Sequence, residues 1–123
     1  MPESPTVLLL CNDLMMTSTV SGAAASSGLT FRTIAGPSQL NDCSDDDLVI
    51  IDLASPGLNI SDAATALSDR QKRAAIIYGP HVHVDRFEQA RTAGFVNLLA
   101  RGQFNAEANQ IVGRFAASAN RST

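Results

Sequence analysis

Short apolar runs alternate along the chain with longer segments whose apolar residues recur every three or four positions. The clearest run, Leu48–Ile51, has no polar alternation and is followed directly by Asp52. Such a run is typical of a strand buried on both faces. Five runs of this kind predict strands at Val7–Leu10, Leu29–Ile34, Leu48–Ile51, Ala75–Tyr78 and Val96–Ala100.

The segments between the predicted strands carry helix signals. Asp13 is suited to cap the first helix, and Gly28 is suited to end it. The apolar stripe of this helix consists of Met16, Val20, Ala23 and Ala24. Two of the later predicted helices are a short one over Ser38–Cys43 and one from Asp85 to Gly94. Between them, a helix capped by Ser61 or Asp62 is expected to run through Ala66 and Leu67. The last helix is expected to be capped by Asn105, with Ala108, Ile111, Val112 and Phe115 facing inward.

Strands that alternate with helices predict an α/β fold, in which helices cover both faces of a parallel sheet. Five such units fit the doubly wound strand order 2-1-3-4-5, as one domain over residues 1–123 with a core at about 6–117 and short tails. The switch point of that order lies between the first and third strands, where ligands bind at the strand ends. Cys11, Asn12, Asp13 and Asp52 are therefore expected to meet in one crevice.

The composition narrows the classes of function. The chain has 123 residues, 45% of them hydrophobic and 17% charged, with a net charge of −3. These values indicate a globular domain, and without a basic stripe we expect no binding to nucleic acid. No apolar run is long enough to span a bilayer, and the first residues lack a basic signal region. Cys11 and Cys43 suggest no disulfide framework, so a reducing cytoplasm is the expected compartment.

Two stretches, DLVIIDLASPGLN and ARTAGFVNLLARG, resemble the receiver domains of response regulators. The resemblance covers about residues 6–117 and places Gly28, Asp52, Pro56, Gly57 and Gly94 on the receiver pattern. YGPHVHVDRF is similar to a loop of short, stand-alone receiver-like proteins. The resemblance implies a chemotaxis-type, flavodoxin-like fold and a role in two-component or phosphorelay signalling.

Receiver chemistry, as the resemblance implies it, needs five groups. Two acidic residues after the first strand hold Mg²⁺, and an aspartate after the third strand accepts the phosphoryl group. A Ser or Thr after the fourth strand binds the phosphoryl oxygens. A lysine after the fifth strand neutralises their charge, and an aromatic residue on that strand moves with the Ser or Thr.

Carried over position by position, Asp52 matches the acceptor, but the other groups differ. The acidic pair falls on Cys11 and Asn12, with Asp13 next. The hydroxyl falls on Gly79, the lysine on Arg101 and the aromatic switch on Leu98. A thiol is a poor Mg²⁺ ligand, so no cofactor is expected; Asp13 and Asp52 are the weaker alternative for Mg²⁺.

The resemblance and these departures predict a degenerate, non-enzymatic receiver-like module that signals through protein contacts. Asp52 is expected to be a residual carboxylate paired with Arg101. The alternative is a phosphoryl-accepting protein with Asp52 as an atypical acceptor.

Cys11 offers a second route to phosphoryl transfer. LLLCNDLMMTST resembles the strand, cysteine and loop of sugar-phosphotransferase IIB proteins, and Thr17–Thr19 fit the phosphate cradle that this resemblance implies. Leu14–Met16 stand where such a loop needs small residues. A small, semi-buried thiol in the place of a lost acid is therefore the favoured interpretation.

Three further groups of residues carry weaker signals. His81, His83 and Asp85 alternate as in a metal site, but they lie in a predicted loop, which favours solvated side chains or a pH-dependent contact. Asp45–Asp47 is expected to be a solvated turn away from the crevice. Met15 and Met16 are expected to be split between surface and core.

The expected partner is a protein, without nucleic acid or membrane. The resemblance points to the face of the fourth helix, fifth strand and fifth helix, which would also serve a homodimer. The arginines expected near this face are Arg86, Arg91, Arg101 and Arg114.

Overall fold

The predicted sheet is present in the computed structural model, which describes residues 5–121, without the side chains of residues 42 and 119–121. Its five strands are β1 (Thr6–Leu10), β2 (Thr30–Ile34), β3 (Leu48–Asp52), β4 (Ile76–Gly79) and β5 (Asn97–Ala100). All pairings are parallel and the order is β2-β1-β3-β4-β5. The predicted strand order 2-1-3-4-5 is thus confirmed.

Within the described residues, four α-helices and one 3-10 helix connect the strands, and a fifth α-helix follows the last strand. They are α1 (Leu14–Ser26), a 3-10 helix (Pro37–Asp42), α2 (Ile60–Ala66), α3 (Asp69–Ala74), α4 (Val84–Thr92) and α5 (Arg101–Arg121). Helix α5 extends beyond residue 117, where the core was predicted to end. The tail residues 1–4 and 122–123 lie outside the described part of the chain.

The apolar core forms two layers, one on each face of the sheet. Alternate residues of β3 point to opposite layers: Val49 and Ile51 pack in one, and Leu48 and Ile50 in the other. All five residues of β3 are buried, which agrees with its unbroken apolar sequence. This double coverage places Asp52 at the end of a fully enclosed strand.

The helix between β3 and β4 differs from its prediction in its cap, and a second helix that was not predicted follows it. Its cap is Asn59, whose side chain accepts from the N–H groups of Ser61 and Asp62, the residues predicted as caps. The helix stops at Leu67 because Ser68 and Gln71 form a capping box that starts a new helix, α3. Helix α3, which the sequence analysis does not predict, thus begins at a reciprocal cap in a segment without an apolar pattern.

The last helix starts earlier than predicted. Arg101 follows Ala100 of β5 directly and is already the first residue of α5, so Asn105 lies inside the helix and does not cap it. Phe104, Ala108, Val112 and Ala116 form its buried stripe. The early start fixes where Arg101 lies, which matters at the crevice.

Within residues 5–121, no helix combines the length and the apolar composition that crossing a bilayer requires.

The assignment of Asn59 as the cap can be tested by stability. Asn59→Ala should lower the free energy of unfolding by about 1 kcal/mol, because two N–H groups at the start of α2 lose their acceptor. Ser61→Ala is the matched control and should change it by less than about 0.5 kcal/mol. Urea denaturation measures both, and an equal or larger loss for Ser61→Ala would show that the cap has been misassigned.

Candidate functional site

The carboxyl ends of β1 and β3 meet, as the strand order predicts. Leu10 pairs with Ile51, so the residues that follow, Cys11 and Asp52, lie side by side. Asp52 is only 6% exposed, whereas Cys11 is half-buried and Asn12 is exposed. The predicted crevice therefore exists, with a carboxylate at its buried end.

Both oxygens of Asp52 have partners within the protein. Oδ1 accepts the backbone N–H of Ala54 at 2.9 Å. Oδ2 lies 3.7 Å from the sulfur of Cys11, whose single thiol proton is shared between this oxygen and the backbone carbonyl of Asp13, also at 3.7 Å. A buried carboxylate needs such hydrogen bonds, since leaving it unpaired costs several kcal/mol. The acceptor position is thus satisfied by neutral donors.

Cys11 connects Asp52 to a residue that sequence reasoning missed. The hydroxyl of Tyr78 donates to Cys11 Sγ at 3.1 Å, and the N–H of Asp13 lies 3.2 Å from the same sulfur. Burial is the main cause that raises the pKa of the Cys11 thiol, and the charges of Asp52 and Asp13 raise it further. The thiol therefore stays protonated and acts as a hydrogen-bond donor.

Tyr78 lies at the bottom of the crevice with its whole side chain buried. Its ring stacks on Phe104 of α5, with centroids 4.6 Å apart and an angle of 8° between the planes. Burial, and then the hydrogen bond to Cys11, raise the pKa of Tyr78 above its ordinary range. Tyr78 follows Ile76 by two residues, so both side chains point to the same face of β4. This alternation is the sequence signal that could have placed Tyr78 on the face that α5 covers.

Arg101 pairs with Asp13, whereas the sequence predicted a pair with Asp52. Asp13 caps α1 through Oδ1, which accepts from the N–H groups of Met15 and Met16, and its Oδ2 accepts from the Arg101 guanidinium. Asp13 is partly exposed, and pairing two charges there avoids the desolvation that a pair with buried Asp52 would need. The cation of the crevice is therefore held away from Asp52.

The hydroxyl position of the receiver pattern is closed by packing. Gly79 is buried, and a Cβ added there would lie 3.1 Å from Cβ of Leu53. A Ser or Thr at this position would therefore need Leu53 to shift. The local packing therefore suits a glycine at this position better than a larger side chain.

The crevice fits Mg²⁺ poorly. A hard cation prefers several free oxygen ligands. Here Cys11 supplies sulfur, Asp52 and Asp13 are already partnered, and Asn12 alone offers an amide oxygen. Among residues 5–121, no group of three or more His, Cys, Asp or Glu side chains is placed to hold a metal ion.

An open cleft of about 450 Å³ continues from the crevice toward β2. It includes Cys11 and Asn12 on one side, Thr33 and Gln39 near β2, and Ser55 after β3. Its lining residues carry no formal charge, which suits neutral polar groups better than phosphate.

The two histidines follow β4, at the same carboxyl ends of the strands as the crevice, but they lie outside the crevice. His81 is exposed in the loop before α4, and His83 is half-buried at the residue before that helix. Nδ1 of His83 is buried without a hydrogen-bond partner among the described atoms. Asp85 is exposed in the first turn of α4.

Methionine exposure agrees with expectation, and the acidic turn agrees in part, because Asp45 and Asp46 are exposed but Asp47 is half-buried. Met15 is 78% exposed, whereas Met16 is buried. Asp45–Asp47 precedes β3, at the amino ends of the strands and away from the crevice. There Asp47 accepts the N–H of Thr6 at 2.9 Å. In the same turn Asp46 pairs with Arg70.

The four arginines expected near one face are mostly engaged elsewhere. Arg86 donates to the carbonyl of Leu53, and Arg91 pairs with Glu88 on its own helix. Arg101 is held at the crevice by Asp13, as described above. In the described part of the chain, Arg86 and Arg114 are the members of this group without an ion pair. The expected concentration of free positive charge is therefore not present.

Comparison with known proteins supports the fold. The receiver domain of the sensor histidine kinase PA1611 from Pseudomonas aeruginosa PAO1 matches with a TM-score of 0.68 and 19% identity, covering 93% of this chain and 98% of that one. That structure is described with a magnesium ion coordinated in its active-site cleft. A CheY-like receiver domain protein from Methanospirillum hungatei JF-1 matches with a TM-score of 0.74 and 10% identity over 98% and 100% of the two chains.

A third similar structure is the chemotaxis response regulator CheY4 of Vibrio cholerae, with a TM-score of 0.69 and 13% identity over 91% and 98% of the chains. No family model matches, and no curated protein matches. The chain thus has the CheY-like, flavodoxin-like fold of receiver domains, at identities that establish the fold alone.

The ion pair predicts a specific response to the loss of Arg101. The Arg101 guanidinium holds the pKa of Asp13 below its ordinary value of 3.8. A carboxyl with a lowered folded-state pKa stabilises the fold above its ordinary pKa, and this contribution is lost as pH falls through the lowered value. Arg101→Ala should therefore raise the pKa of Asp13, and stability below pH 3.8 should fall less steeply than in the wild type.

Carboxyl-detected NMR titration measures this change residue by residue. Arg91→Ala, which removes an arginine paired only with Glu88, is the matched control and should leave Asp13 unchanged. A response of Asp52 larger than that of Asp13 would restore the pair that the sequence predicted.

Proposed function

We propose that this chain is a non-enzymatic, receiver-like signalling module of a two-component or phosphorelay type. It acts through protein contacts and without standard Mg²⁺-dependent phosphorylation. The observation that carries this proposal is the self-satisfied crevice. Arg101 is held by Asp13, and both oxygens of Asp52 have neutral partners inside the protein.

The contacts at Asp52 count against phosphoryl acceptance in the usual manner. An incoming phosphoryl group would have to replace the Cys11 contact at Oδ2 or the Ala54 contact at Oδ1. The positive charge suited to its oxygens would have to leave Asp13. Gly79 supplies no hydroxyl, and space for one is limited by Leu53. Each missing element removes electrostatic stabilisation that phosphoryl transfer depends on.

The contacts of Cys11 count against the second phosphoryl route. A cysteine attacks as the thiolate, and reactive cysteines have lowered pKa values. Here burial raises the pKa of the thiol. Leu14 and Met15 are exposed at the start of α1, in the place of small cradle residues.

Partner contacts, in this proposal, replace phosphorylation as the output. The partner is a protein that docks on the face of α4, β5 and α5, and the proposed compartment is the cytoplasm. The exposed apolar residue Val96, which directly precedes β5, supports this choice of face. Nucleic acid is not a proposed ligand, since the net charge is −3.

The proposal predicts that the wild type shows no saturable amide NMR shifts at Asn12, Asp13 or Asp52 when titrated with Mg²⁺ into the millimolar range. It also predicts no further shifts when beryllofluoride, a phosphoryl analogue, is added with Mg²⁺. The physical reason is that the crevice has too few free oxygen ligands. Saturable, sub-millimolar shifts at these residues would overturn the proposal and favour Asp52 as an acceptor.

A gain-of-function variant sharpens the metal test. Cys11→Asp places a carboxylate beside Asp52 and Asp13, where repulsion destabilises the fold until a cation binds. Mg²⁺ should therefore raise the Tm of this variant by several degrees and leave the wild type unchanged. Cys11→Asn has the same shape without the charge and should not respond. An equal response of both variants would show that the missing acid is not what limits Mg²⁺ binding.

A further inference from the structure

The open cleft that continues from the crevice toward β2, which we call the β2 cleft, has the features of a small-molecule site. Its volume is about 450 Å³, and the lining residues on which the argument depends are Leu10, Asn12, Ile34, Gln39 and Ser55. Asp52 does not line it. The β2 cleft is thus a different pocket from the position of the phosphoryl acceptor.

The strand order explains why a cleft opens here. Strand β1 leads into α1, which packs on one face of the sheet, whereas β2 leads into the 3-10 helix on the other face. Connections that leave neighbouring strand ends toward opposite faces separate from each other, and open parallel sheets bind their ligands in crevices of this kind. The volume of about 450 Å³ also lies within the range of small-molecule sites.

The polar groups of the β2 cleft are incompletely satisfied by the protein. Ser55 is only 6% exposed, and its hydroxyl donates to the carbonyl of Leu10 at 3.4 Å, which is long for a hydroxyl donor. The carbonyl oxygen of the Gln39 side chain accepts the N–H of Ala35, so the two side-chain N–H donors of Gln39 are left for another group. Asn12 adds a second, exposed amide. A ligand that brings an acceptor next to a donor would complete these hydrogen bonds.

The lining also restricts the charge of a ligand. Among the described residues, those that line the β2 cleft include no Asp, Glu, Lys, Arg or His. An anion would therefore enter without a cation to pair with it, because Arg101 is held by Asp13, and a charge removed from water without a partner is costly. Leu10 and Ile34, which are paired across β1 and β2, form an apolar part of the lining. These features fit an uncharged molecule with an apolar ring and a polar edge.

We propose that the β2 cleft binds an uncharged, flat small molecule through an amide edge, meaning a C=O next to an N–H. Carboxamides and the lactam rings of nucleobases share this chemistry. The ligand C=O accepts from the Gln39 side chain, the ligand N–H donates to the side-chain oxygen of Asn12, and the ring packs on Leu10 and Ile34.

The position of the β2 cleft connects such a ligand to the crevice. Cys11 lines the cleft, and its thiol contacts Asp52. A ligand beside Cys11 therefore changes the surroundings of Asp52 without any phosphoryl transfer. The inference goes beyond the proposed function and does not depend on it.

Amide NMR titration of the full chain with nicotinamide and with nicotinate tests the proposal, because the two probes share a ring and differ in charge. Nicotinamide should produce saturable shifts at Asn12, Gln39 and Ser55, including the side-chain amides of Asn12 and Gln39. Nicotinate should bind at least about 10-fold more weakly, since its carboxylate finds no cation in the cleft. Uracil carries the same edge within its ring: tighter binding of uracil identifies a nucleobase-like ligand, and tighter binding of nicotinamide identifies a carboxamide.

A matched pair of variants places the probe in the cleft. Gln39→Glu keeps the acceptor for the N–H of Ala35, but it removes the side-chain donors and adds a negative charge. It should therefore raise the Kd of nicotinamide at least about 5-fold, the effect of losing one hydrogen bond. Gln110→Glu makes the same change at an exposed position of α5, outside the cleft, and should leave the Kd unchanged. The amide spectra of both variants confirm that the fold is retained.

Three results would overturn the proposal: no saturable shifts of the cleft residues with either nicotinamide or uracil, nicotinate binding as tightly as nicotinamide, or a Gln39→Glu variant that behaves like Gln110→Glu. None of them affects the Mg²⁺ and beryllofluoride result, which reports on the crevice around Asp52. The two proposals can therefore fail independently.

Discussion

The crevice is organised by the need to satisfy a buried carboxylate. Asp52 ends a strand that is covered on both faces, and only 6% of the residue is exposed. Placing Arg101 beside it would neutralise the charge but would also bury a second ion, and the gain from such a pair often fails to exceed its desolvation cost. In the structure, Asp52 instead accepts hydrogen bonds from a backbone N–H and from the Cys11 thiol. Because these donors are neutral and satisfy Asp52, Arg101 pairs with Asp13 at the more exposed rim of the crevice.

This solution joins the acceptor position to the packing between the sheet and α5. The hydroxyl of Tyr78 donates to Cys11, whose thiol donates to Asp52, and the ring of Tyr78 stacks on Phe104 of α5. Connected hydrogen bonds in a buried site strengthen one another and fix side-chain positions. The aromatic residue of this crevice is therefore on β4 and held by packing, whereas the switch position on β5 carries Leu98. The arrangement favours a single conformation over the two states that a phosphorylation switch needs.

The sequence was sufficient for the fold and for the composition of the crevice, because both follow from strand order. Once Val7–Leu10 and Leu48–Ile51 are neighbours, Cys11 and Asp52 must meet. The partner of Arg101 could not be derived in this way. It depends on α5 starting at Arg101 instead of near Asn105, and helix ends are set by local contacts that periodicity does not resolve.

Tyr78 and helix α3 are missed for related reasons. The apolar run Ala75–Tyr78 predicts a strand, and alternation places Tyr78 on one face of it, but no pattern shows that its hydroxyl makes a hydrogen bond. Ser68 and Gln71 form a capping box whose spacing is visible in the sequence, but the helix that it starts, Asp69–Ala74, has no apolar pattern. In both cases the decisive contact is a side-chain hydrogen bond, which an apolar pattern does not report.

In the signalling role proposed above, a fixed crevice requires that another variable carry the signal, and contact with a partner protein is the variable proposed. The parts that move in a receiver are replaced here by Gly79, which packs on Leu53, and by Leu98. Val96 remains exposed beside β5, on the face proposed for the partner. Binding of a partner there follows the concentrations of both proteins by mass action. A partner protein could therefore carry the signal without any chemistry at Asp52.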